Sequence, residues 1–276
     1  MNLRFTKMHG LGNDFMVIDG INQQVELGAQ RIAALANRNF GVGFDQLLLV
    51  ERPQTEEASF RYRIFNADGG EVAQCGNGAR CFARFVREKG LTDANEIRVE
   101  TQNGLLTLKM IDKTRVEVDM GVPRFEPSQI PLDLPGQRSV YQLDIEGRPV
   151  VFSALSVGNP HAVIMVDDVD TAPVHELGQV LESHALFPER VNVGFMQIVN
   201  RSEFRLRVFE RGSGETLACG SGACAAMVAG NRLGLLDDQA LARLRGGELQ
   251  LSWQGDGRPV MMTGDTAMVY EGELTL

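Results

Sequence analysis

The sequence lacks several features that define common protein classes. No apolar run approaches the roughly 18 residues of a membrane-spanning helix, and the first residues, MNLRFTKMHGLGNDF, lack the apolar core of a signal peptide. Lys and Arg number 27 against 36 Asp and Glu, so the formal net charge of −9 argues against a nucleic-acid-binding surface. We therefore expect a cytoplasmic globular protein whose partner is a small molecule and whose thiols stay reduced.

Cysteine is scarce, and its spacing argues against common metal and redox sites. The four cysteines are spaced C-x5-C and C-x4-C, so neither pair is a C-x2-C motif: Cys75, Cys81, Cys219 and Cys224. The sequence also has no GxxxxGK[ST] phosphate loop, and its two Cys-Gly stretches lack the third glycine of a dinucleotide-binding fingerprint. We therefore expect neither a metal nor a cofactor, and we interpret Cys81 and Cys224 as small buried residues on helices.

What the sequence does contain is a long tandem repeat. Segment 61–90 returns as 205–234 with ten of thirty residues identical, which places Cys219 on Cys75 at an offset of 144. This offset is close to half the chain length and far exceeds the roughly 20–50 residues of a solenoid repeat. The repeat therefore predicts two similar domains.

Two shorter echoes keep the same order along the chain. They pair Gly12-Asn13 with Gly158-Asn159 at offset 146, and 42–46 with 193–197 at offset 151. A stretch rich in Pro and turn residues, 121–136, is the predicted linker. The predicted domains are residues 1–120 with 265–276, and residues 121–264.

The apolar patterns predict many short strands and about two helices in each half. The predicted helices are Gln30–Asn37, a run from about Ala79 to Gly90, Val174–Ser183 and Ala223–Arg232. Such a mixture is typical of an α+β fold and not of a parallel βαβ arrangement. We also expect the final strand, 267–273, to return and pair with the first domain.

Each repeat sets a cysteine directly before a glycine-rich helix start. Cys75 precedes Gly76-Asn77-Gly78, and Cys219 precedes Gly220-Ser221-Gly222. Glycine permits close approach of the backbone to a ligand, and the open N–H groups of a helix start bind an anion such as a carboxylate. The same location lowers the pKa of a thiol from its free value of about 8.5. One such cysteine alone would fit a buried structural role, but two copies favour catalysis.

Two thiols on opposite faces of one carbon can invert a stereocentre. One thiolate removes the Cα proton of an amino acid, and the other thiol donates a proton to the opposite face. Helix N-terminal N–H groups aimed at the α-carboxylate stabilise the carbanion as its charge grows. The two thiols would share one proton at rest, so their titration would belong to the pair.

Three stretches carry a resemblance to a known family, the bacterial diaminopimelate epimerases: MHGLGNDFMVID, NADGGEVAQCGNGARCFARF and FERGSGETLACGSGACAA. The resemblance spans essentially the full chain. It implies cofactor-independent, two-base interconversion of LL- and meso-2,6-diaminoheptanedioate, a step toward lysine and peptidoglycan precursors. It also implies two pseudo-symmetric α+β domains, each a mostly antiparallel, barrel-like sheet around a central helix, with the active site in the interdomain cleft.

The resemblance assigns roles to particular residues. Cys75 and Cys219 match the acid/base pair, and His161 and Glu210 match groups that tune the cysteine pKa values. The backbone N–H groups that bind the reacting carboxylate are those of Gly76, Asn77, Gly220 and Ser221. The side chains that match substrate-binding positions are Asn13, Gln46, Asn66, Asn159, Asn192, Glu210 and Arg211. Tyr270 matches a tyrosine at a homodimer interface.

Several of these residues also have ordinary structural explanations. Asn is common beside turns for backbone reasons, which covers Asn13, Asn66 and Asn159. Glu210 and Arg211 could be a solvated pair at a strand end, and His161 could cap a strand. A lone tyrosine such as Tyr270 is normally part of the core or the surface.

Other functions also fit part of the pattern. A cofactor-independent racemase of proline or hydroxyproline pairs two cysteines in the same way, whereas Arg211 and the many Asn side chains favour an acyclic substrate with a second charged end. Isomerases of this fold that use a carboxylate would not need both thiols. A non-catalytic amino-acid-binding protein could use the same helix starts, but it needs neither thiol.

Overall fold

A computed structural model of the chain describes residues 2–72, 75–145 and 147–275. Contacts between residues divide the chain into two units. Unit 1 comprises Met1–Val118 and Thr263–Leu276, and unit 2 comprises Asp119–Met262. The predicted domain boundaries, residues 1–120 with 265–276 and residues 121–264, stay a prediction.

Short strands and helices alternate along the chain. The strands are β1 (Asn2–Gly10), β2 (Asn13–Asp19), β3 (Gln46–Glu51), β4 (Phe60–Asn66), β5 (Glu71–Val72), β6 (Glu96–Thr101), β7 (Gly104–Met110), β8 (Arg115–Asp119), β9 (Tyr141–Ile145), β10 (Arg148–Ser156), β11 (Pro160–Met165), β12 (Asn192–Asn200), β13 (Glu203–Glu210), β14 (Gly214–Thr216), β15 (Gln239–Leu244), β16 (Gly247–Trp253), β17 (Val260–Asp265) and β18 (Ala267–Thr275). The helices are α1 (Ala29–Ala36), α2 (Gly76–Glu88), α3 (Val174–Glu182) and α4 (Gly220–Arg232), with a 3-10 turn at Pro127–Gln129.

Unit 1 is built on one mixed sheet. Its strands follow the order β18-β1-β2-β3-β4-β6-β7-β8, and β5 pairs with β4. The pairs β2–β3 and β4–β6 are parallel, and the other pairs are antiparallel. The final strand does return to β1, with Lys7 opposite Tyr270, so that prediction is confirmed.

Helix α2 is the central element of unit 1. It packs against β1, β2, β3, β4 and β7, and its apolar positions Phe82, Ala83 and Val86 are fully buried. Helix α1 contributes to a separate apolar cluster that includes Met16 and Ile18 of β2. Because successive strand residues face opposite sides, β2 is buried on both faces, which explains its continuous apolar run.

Unit 2 repeats this arrangement. Its strands follow the order β9-β10-β11-β12-β13-β15-β16, with β14 beside β13, and the pairs β11–β12 and β13–β15 are parallel. Helix α4 packs against β10–β13, β15 and β16, while α3 packs on β12–β14. The predicted α+β fold with two similar, strand-rich parts is therefore confirmed.

Strand register fixes which residues of the two repeats are equivalent. Phe15 pairs with Gln46 across β2–β3, and His161 pairs with Asn192 across β11–β12. Gln46 is therefore equivalent to Asn192 at offset 146. The echo that aligned Gln46 with Gln197 is wrong, because Gln197 lies inside β12 whereas Gln46 begins β3. A short Val-Gly-Phe pattern suits both a loop and a strand, so it misaligned the repeats.

Some local predictions are also wrong. The predicted linker contributes Ile130 and Leu132 to the apolar core of unit 2, since its prolines are interspersed with apolar residues. Helix α4 begins at Gly220 and not at Ala223. Four strands escaped prediction: β5 and β14 are too short to show a period, and β15 has weak apolar alternation. Strand β9 does alternate, with Tyr141, Leu143 and Ile145 on one face, but it is only five residues long and follows the predicted linker. In β15 the inward residues are Ala240 and Ala242, which are poor strand formers.

Candidate active site

Cys75 and Cys219 occupy the same place in their repeats. Each is the N-cap residue of a 13-residue helix, with extended backbone angles of φ −143°, ψ 121° for Cys75 and φ −114°, ψ 107° for Cys219. The carbonyls of both residues accept the first helical hydrogen bonds, from Ala79 N at 2.8 Å and Ala223 N at 3.0 Å. The next N–H groups therefore lie at the positive end of each helix dipole, where a carboxylate binds favourably.

Packing against Tyr62 and Phe15 requires a glycine at position 78. A Cβ on Gly78 would lie 2.6 Å from Tyr62 Oη and 3.3 Å from the ring of Phe15. The Tyr62 hydroxyl donates to the Cys75 carbonyl at 3.3 Å. Burial, followed by the charge of Cys75, raises the pKa of Tyr62 well above its usual value, so the phenol stays a neutral donor.

In unit 1, two asparagines meet beside the Cys75 thiol. Cys75 Sγ lies 3.6 Å from Asn13 Oδ1, and Asn77 Nδ2 donates to the same oxygen at 3.3 Å. Asn13 Nδ2 donates in turn to Asp45 Oδ2 at 3.0 Å. Three predicted site residues are therefore brought together with Asp45, which was not predicted.

Gln46 and Asn66 form a second polar pair in unit 1. They are opposite each other on β3 and β4, and Gln46 Nε2 donates to Asn66 Oδ1 at 2.9 Å. Both side chains are half-buried. Each of the two amides carries a further donor and acceptor group besides those in this bond.

In unit 2, a chain of polar groups leads to Cys219. His161 Nε2 lies 2.9 Å from Asn159 Oδ1, Asn159 Nδ2 lies 3.3 Å from Ser221 Oγ, and Ser221 Oγ lies 3.6 Å from Cys219 Sγ. Gly222 N donates to Cys219 Sγ at 3.4 Å. A Cβ on Gly222 would lie 3.2 Å from that sulfur, so a side chain there would crowd this hydrogen bond.

Burial raises the pKa of the Cys219 thiol well above its usual value, and the nearby Glu210 carboxylate raises it further. The hydrogen bonds from Ser221 and Gly222 act in the opposite direction without reversing the shift. Glu210 also accepts a hydrogen bond from Thr216 Oγ1 at 2.5 Å. Cys219 therefore holds its proton more tightly than an exposed thiol does, and the lowered pKa expected for a cysteine at a helix start is wrong for Cys219, because burial outweighs the helix start.

His161 is a buried, neutral imidazole. Burial, followed by the charge of Arg211, lowers the pKa of His161 to about 3. A neutral imidazole with Nε2–H can donate to Asn159 Oδ1, which fixes the direction of the Asn159 amide. In unit 2, His161 therefore acts on the Asn159 side chain and not as a charged group.

Asn192 and Arg211 have different environments. Asn192 is buried, donates from Nδ2 to the Pro160 carbonyl at 3.0 Å and accepts from Arg211 N at 3.0 Å. Its side chain therefore holds β11 and the segment after β13 in place. The Arg211 side chain is exposed, donates to the Glu189 carbonyl at 3.0 Å and has further N–H groups that can bind an anion.

Tyr270 lies on β18. The residue is 47% exposed, and its ring packs edge-on against Phe5, with ring centroids 6.0 Å apart. The predicted burial of Cys81 and Cys224 on helices α2 and α4 is confirmed.

Sequence reasoning missed four residues that shape the site: Asp45, Tyr62, Arg80 and Thr216. Arg80 lies with Arg84 and Arg87 on the polar side of α2, so the sequence pattern gave no signal that it is fully buried. Within residues 2–72, 75–145 and 147–275, no group of three or more His, Cys, Asp or Glu side chains is arranged to hold a metal ion. No helix in the same ranges is long and apolar enough to cross a membrane.

A family model and a full-length relative point to the same protein family. The family model described as "Diaminopimelate epimerase" matches residues 5–126 and 153–269. A protein of Laribacter hongkongensis named diaminopimelate epimerase is 58% identical over 278 residues, which cover 100% of both chains.

Solved structures show the same fold at low sequence identity. A PhzF-family phenazine biosynthesis protein of Bacillus anthracis superimposes with a TM-score of 0.72 at 17% identity, covering 100% of both chains. A hydroxyproline epimerase from Agrobacterium vitis, with bound trans-4-hydroxy-L-proline, gives a TM-score of 0.71 at 17% identity, covering 99% of this chain and 92% of that one. At such identities the likeness concerns the fold alone.

Proposed function

The chain belongs to the diaminopimelate epimerase family, and from this premise we propose that it interconverts LL- and meso-2,6-diaminoheptanedioate without a cofactor, in the synthesis of lysine and peptidoglycan precursors. The observation that carries the proposed chemistry is the repeated cysteine at a helix N-terminus, Cys75 on α2 and Cys219 on α4. The family supports the substrate, and the duplicated cysteine supports a reaction with two bases.

The proposed reaction is a transfer of two protons at one carbon. A cysteine thiolate takes the Cα proton and becomes a thiol, and the resulting carbanion takes a proton from the other cysteine on the opposite face. The second cysteine is left as the thiolate, so the reverse direction starts from the opposite protonation state. Backbone N–H groups of Gly76-Asn77 and Gly220-Ser221 bind the α-carboxylate and stabilise its growing charge.

The raised pKa of Cys219 supports an assignment of which cysteine carries the proton before the reaction starts. Burial and the Glu210 carboxylate both favour the neutral thiol at Cys219. We assign Cys219 as the proton donor of the resting enzyme and Cys75 as its base.

The remaining side chains are proposed to bind the distal end of the substrate. The exposed guanidinium of Arg211 suits the distal carboxylate because it can form two parallel N–H···O bonds. The amide groups of Asn13, Asn159 and the Gln46–Asn66 pair suit the amino groups, since an amide oxygen accepts from an ammonium. Asn192 supports the Arg211 segment from its buried position.

The test is a stereochemical assay in D2O with reductant and without added cofactor. LL-diaminopimelate is supplied, and meso product and deuterium at Cα are followed. Cys75→Ala and Cys219→Ala should each lower turnover by about 10²–10⁴-fold, the usual contribution of a general acid or base. Cys81→Ala and Cys224→Ala are the matched controls, because these cysteines are buried on the same two helices and have no proposed chemical role.

The competing functions are separated in the same assay. Inversion of L-proline or trans-4-hydroxy-L-proline in place of diaminopimelate would keep the two-thiol chemistry and overturn the substrate. Retained diaminopimelate binding without Cα exchange in the reduced, folded protein would support the non-catalytic binding protein instead.

We also propose that the protein is a cytoplasmic homodimer. The cytoplasm suits a mechanism that needs reduced thiols. The exposed pair Val269 and Tyr270 on β18 supports an interface at this strand. Sedimentation analysis of Tyr270→Ala should show a shift toward monomer relative to the wild type, and an unchanged dimer would contradict the assignment of Tyr270.

A further inference from the structure

A directed chain of hydrogen bonds crosses the Cys75 side of unit 1. Arg80 Nη2 donates to Asn77 Oδ1 at 2.9 Å, Asn77 Nδ2 donates to Asn13 Oδ1 at 3.3 Å, and Asn13 Nδ2 donates to Asp45 Oδ2 at 3.0 Å. The chain begins at a fully buried guanidinium and ends at a carboxylate that is 44% exposed. We call these four residues the Arg80–Asp45 relay.

The two charged ends determine the direction of every bond in the relay. A guanidinium only donates hydrogen bonds, and a carboxylate at neutral pH only accepts them. Asn77 must therefore turn its oxygen to Arg80, and Asn13 must turn its NH₂ group to Asp45. The Asn13 oxygen is left facing Asn77 and Cys75, whose Sγ lies 3.6 Å away.

The second repeat lacks both charged ends. The equivalents of Asp45 and Arg80, at offsets 146 and 144, are Val191 and Cys224. In unit 2 the equivalent of Asn13 is Asn159, whose oxygen faces His161 and whose NH₂ group faces Ser221 beside Cys219. Equivalent amides therefore point in opposite directions with respect to their helix starts, and in unit 1 the relay sets that direction.

We propose that Asp45 is a positioning residue of the Cys75 half of the active site, which acts with Arg80 through the relay to hold the Asn13 carbonyl oxygen toward the thiol. The assignment of Cys75 as a reacting group rests on the proposed function. A carbonyl acceptor stabilises the S–H form of the thiol relative to the thiolate. The relay thus raises the proton affinity of Cys75, which strengthens it as the base that takes the Cα proton, and keeps the Asn13 amide oriented before substrate binds.

The test measures Cys75 alone and needs no substrate. In a Cys219→Ala background, the rate of Cys75 alkylation by iodoacetamide is followed against pH and located by mass spectrometry. The reagent attacks the thiolate, so the midpoint of the profile reports proton affinity and the plateau at high pH reports access. Titratable or charged groups lie near both ends of the measured system: Tyr62, Cys81 and Arg80 near Cys75, and Arg38 and Asp14 beside Asp45. All of them are the same in every variant compared.

Asp45→Ala removes the acceptor at the end of the relay. We expect the midpoint to move to lower pH and the alkylation rate at neutral pH to rise about two- to tenfold, as when a neutral hydrogen bond to the thiol is lost. Asp45→Asn should stay near the wild type, because its carbonyl can still accept from Asn13. Asp237→Ala is the matched control, since Asp237 is 55% exposed and pairs with Arg201 at 2.7 Å, much as Asp45 pairs with Arg38 at 2.7 Å.

Asn13→Ala removes the oriented amide itself. It provides an alternative test of the relay if Asp45→Ala does not fold. It should shift the midpoint as Asp45→Ala does, and the double variant should shift it no further, since both changes break the same relay. An unmoved midpoint in Asp45→Ala, or additive shifts in the double variant, would overturn the proposal. A shifted midpoint in a protein without epimerase activity would keep the relay and reject the proposed function.

Discussion

His161 and Asn159 are joined by a 2.9 Å contact from Nε2 to Oδ1 inside unit 2, two residues apart on the chain. The imidazole is 1% exposed, and burial, with the charge of Arg211 second, lowers its pKa from 6.5 to about 3. The neutral ring orients the Asn159 amide toward Ser221 and thus toward the Cys219 helix start. The same shift also couples folding to pH.

His161 should make unit 2 less stable in acid. The unfolded chain protonates this histidine below pH 6.5, whereas the folded unit does so only near pH 3, so stability is present above pH 6.5 and is lost as the pH falls between these values. The loss should be about 1.4 kcal/mol per pH unit. His161→Gln replaces the imidazole N–H with an amide N–H that does not titrate, so it should remove this dependence of stability on pH. Urea unfolding followed by the fluorescence of Trp253, the single tryptophan and a residue of unit 2, measures the difference; equal slopes in both proteins would contradict it.

Glu210→Gln should make the Cys219 thiol more acidic. The change removes a negative charge that raises the pKa of Cys219 and leaves burial in place, so the pKa should fall toward its usual value without reaching it. Thiolate absorbance in the ultraviolet, titrated in a Cys75→Ala background, reports the shift. The Cys75→Ala/Cys219→Ala protein supplies the baseline. A titration that does not move would show that Glu210 has no electrostatic effect on the thiol.

Gly78→Ala should disturb the Cys75 helix start. The new Cβ would meet the Tyr62 hydroxyl at 2.6 Å, and Tyr62 is buried and cannot easily move. We expect a loss of about 1–3 kcal/mol in unfolding free energy, typical of an overpacked core, and lower epimerase turnover. The control is Gly194→Ala, whose Cβ would meet no atom closer than 3.4 Å. Equal denaturation midpoints for the two variants would contradict the packing argument.

Two equivalent ion pairs should differ in their contribution to stability. Arg207 binds Glu215 through two bonds of 2.7 and 2.9 Å, and Arg63 binds Glu71 through two bonds of 2.8 and 2.7 Å. The Glu215 side chain is 4% exposed and also lies 3.1 Å from Arg245, whereas Glu71 is 23% exposed. Glu215→Gln should therefore cost about 3 kcal/mol, because it removes a buried carboxylate that pairs with both Arg207 and Arg245.

Glu71→Gln is the matched substitution in unit 1. It should cost about 1 kcal/mol or less, since Glu71 and its partner Arg63 are 23% and 28% exposed and the pair is therefore partly solvated. Urea titrations of both variants, followed by circular dichroism, provide the comparison. A larger effect at Glu71 than at Glu215 would contradict the ranking by burial.

The sequence alone determined the repeat, the fold class and the two cysteines at helix starts. These features depend on local patterns: a thirty-residue similarity, strand and helix periods, and a cysteine before Gly-x-Gly. The same patterns misaligned Gln46 with Gln197, because a short motif does not encode strand register.

Only the tertiary structure decided how the polar side chains around each cysteine are paired. Asn13 meets Asp45 and Cys75 across 32 and 62 residues of chain, and Asn192 holds the backbone of Arg211 across 19. Such contacts follow from register between strands and from the packing of a helix on a sheet, which no local pattern specifies. For the same reason the opposite directions of the Asn13 and Asn159 amides could not be read from two equivalent Gly-Asn dipeptides. Their directions depend on a carboxylate in one unit and an imidazole in the other.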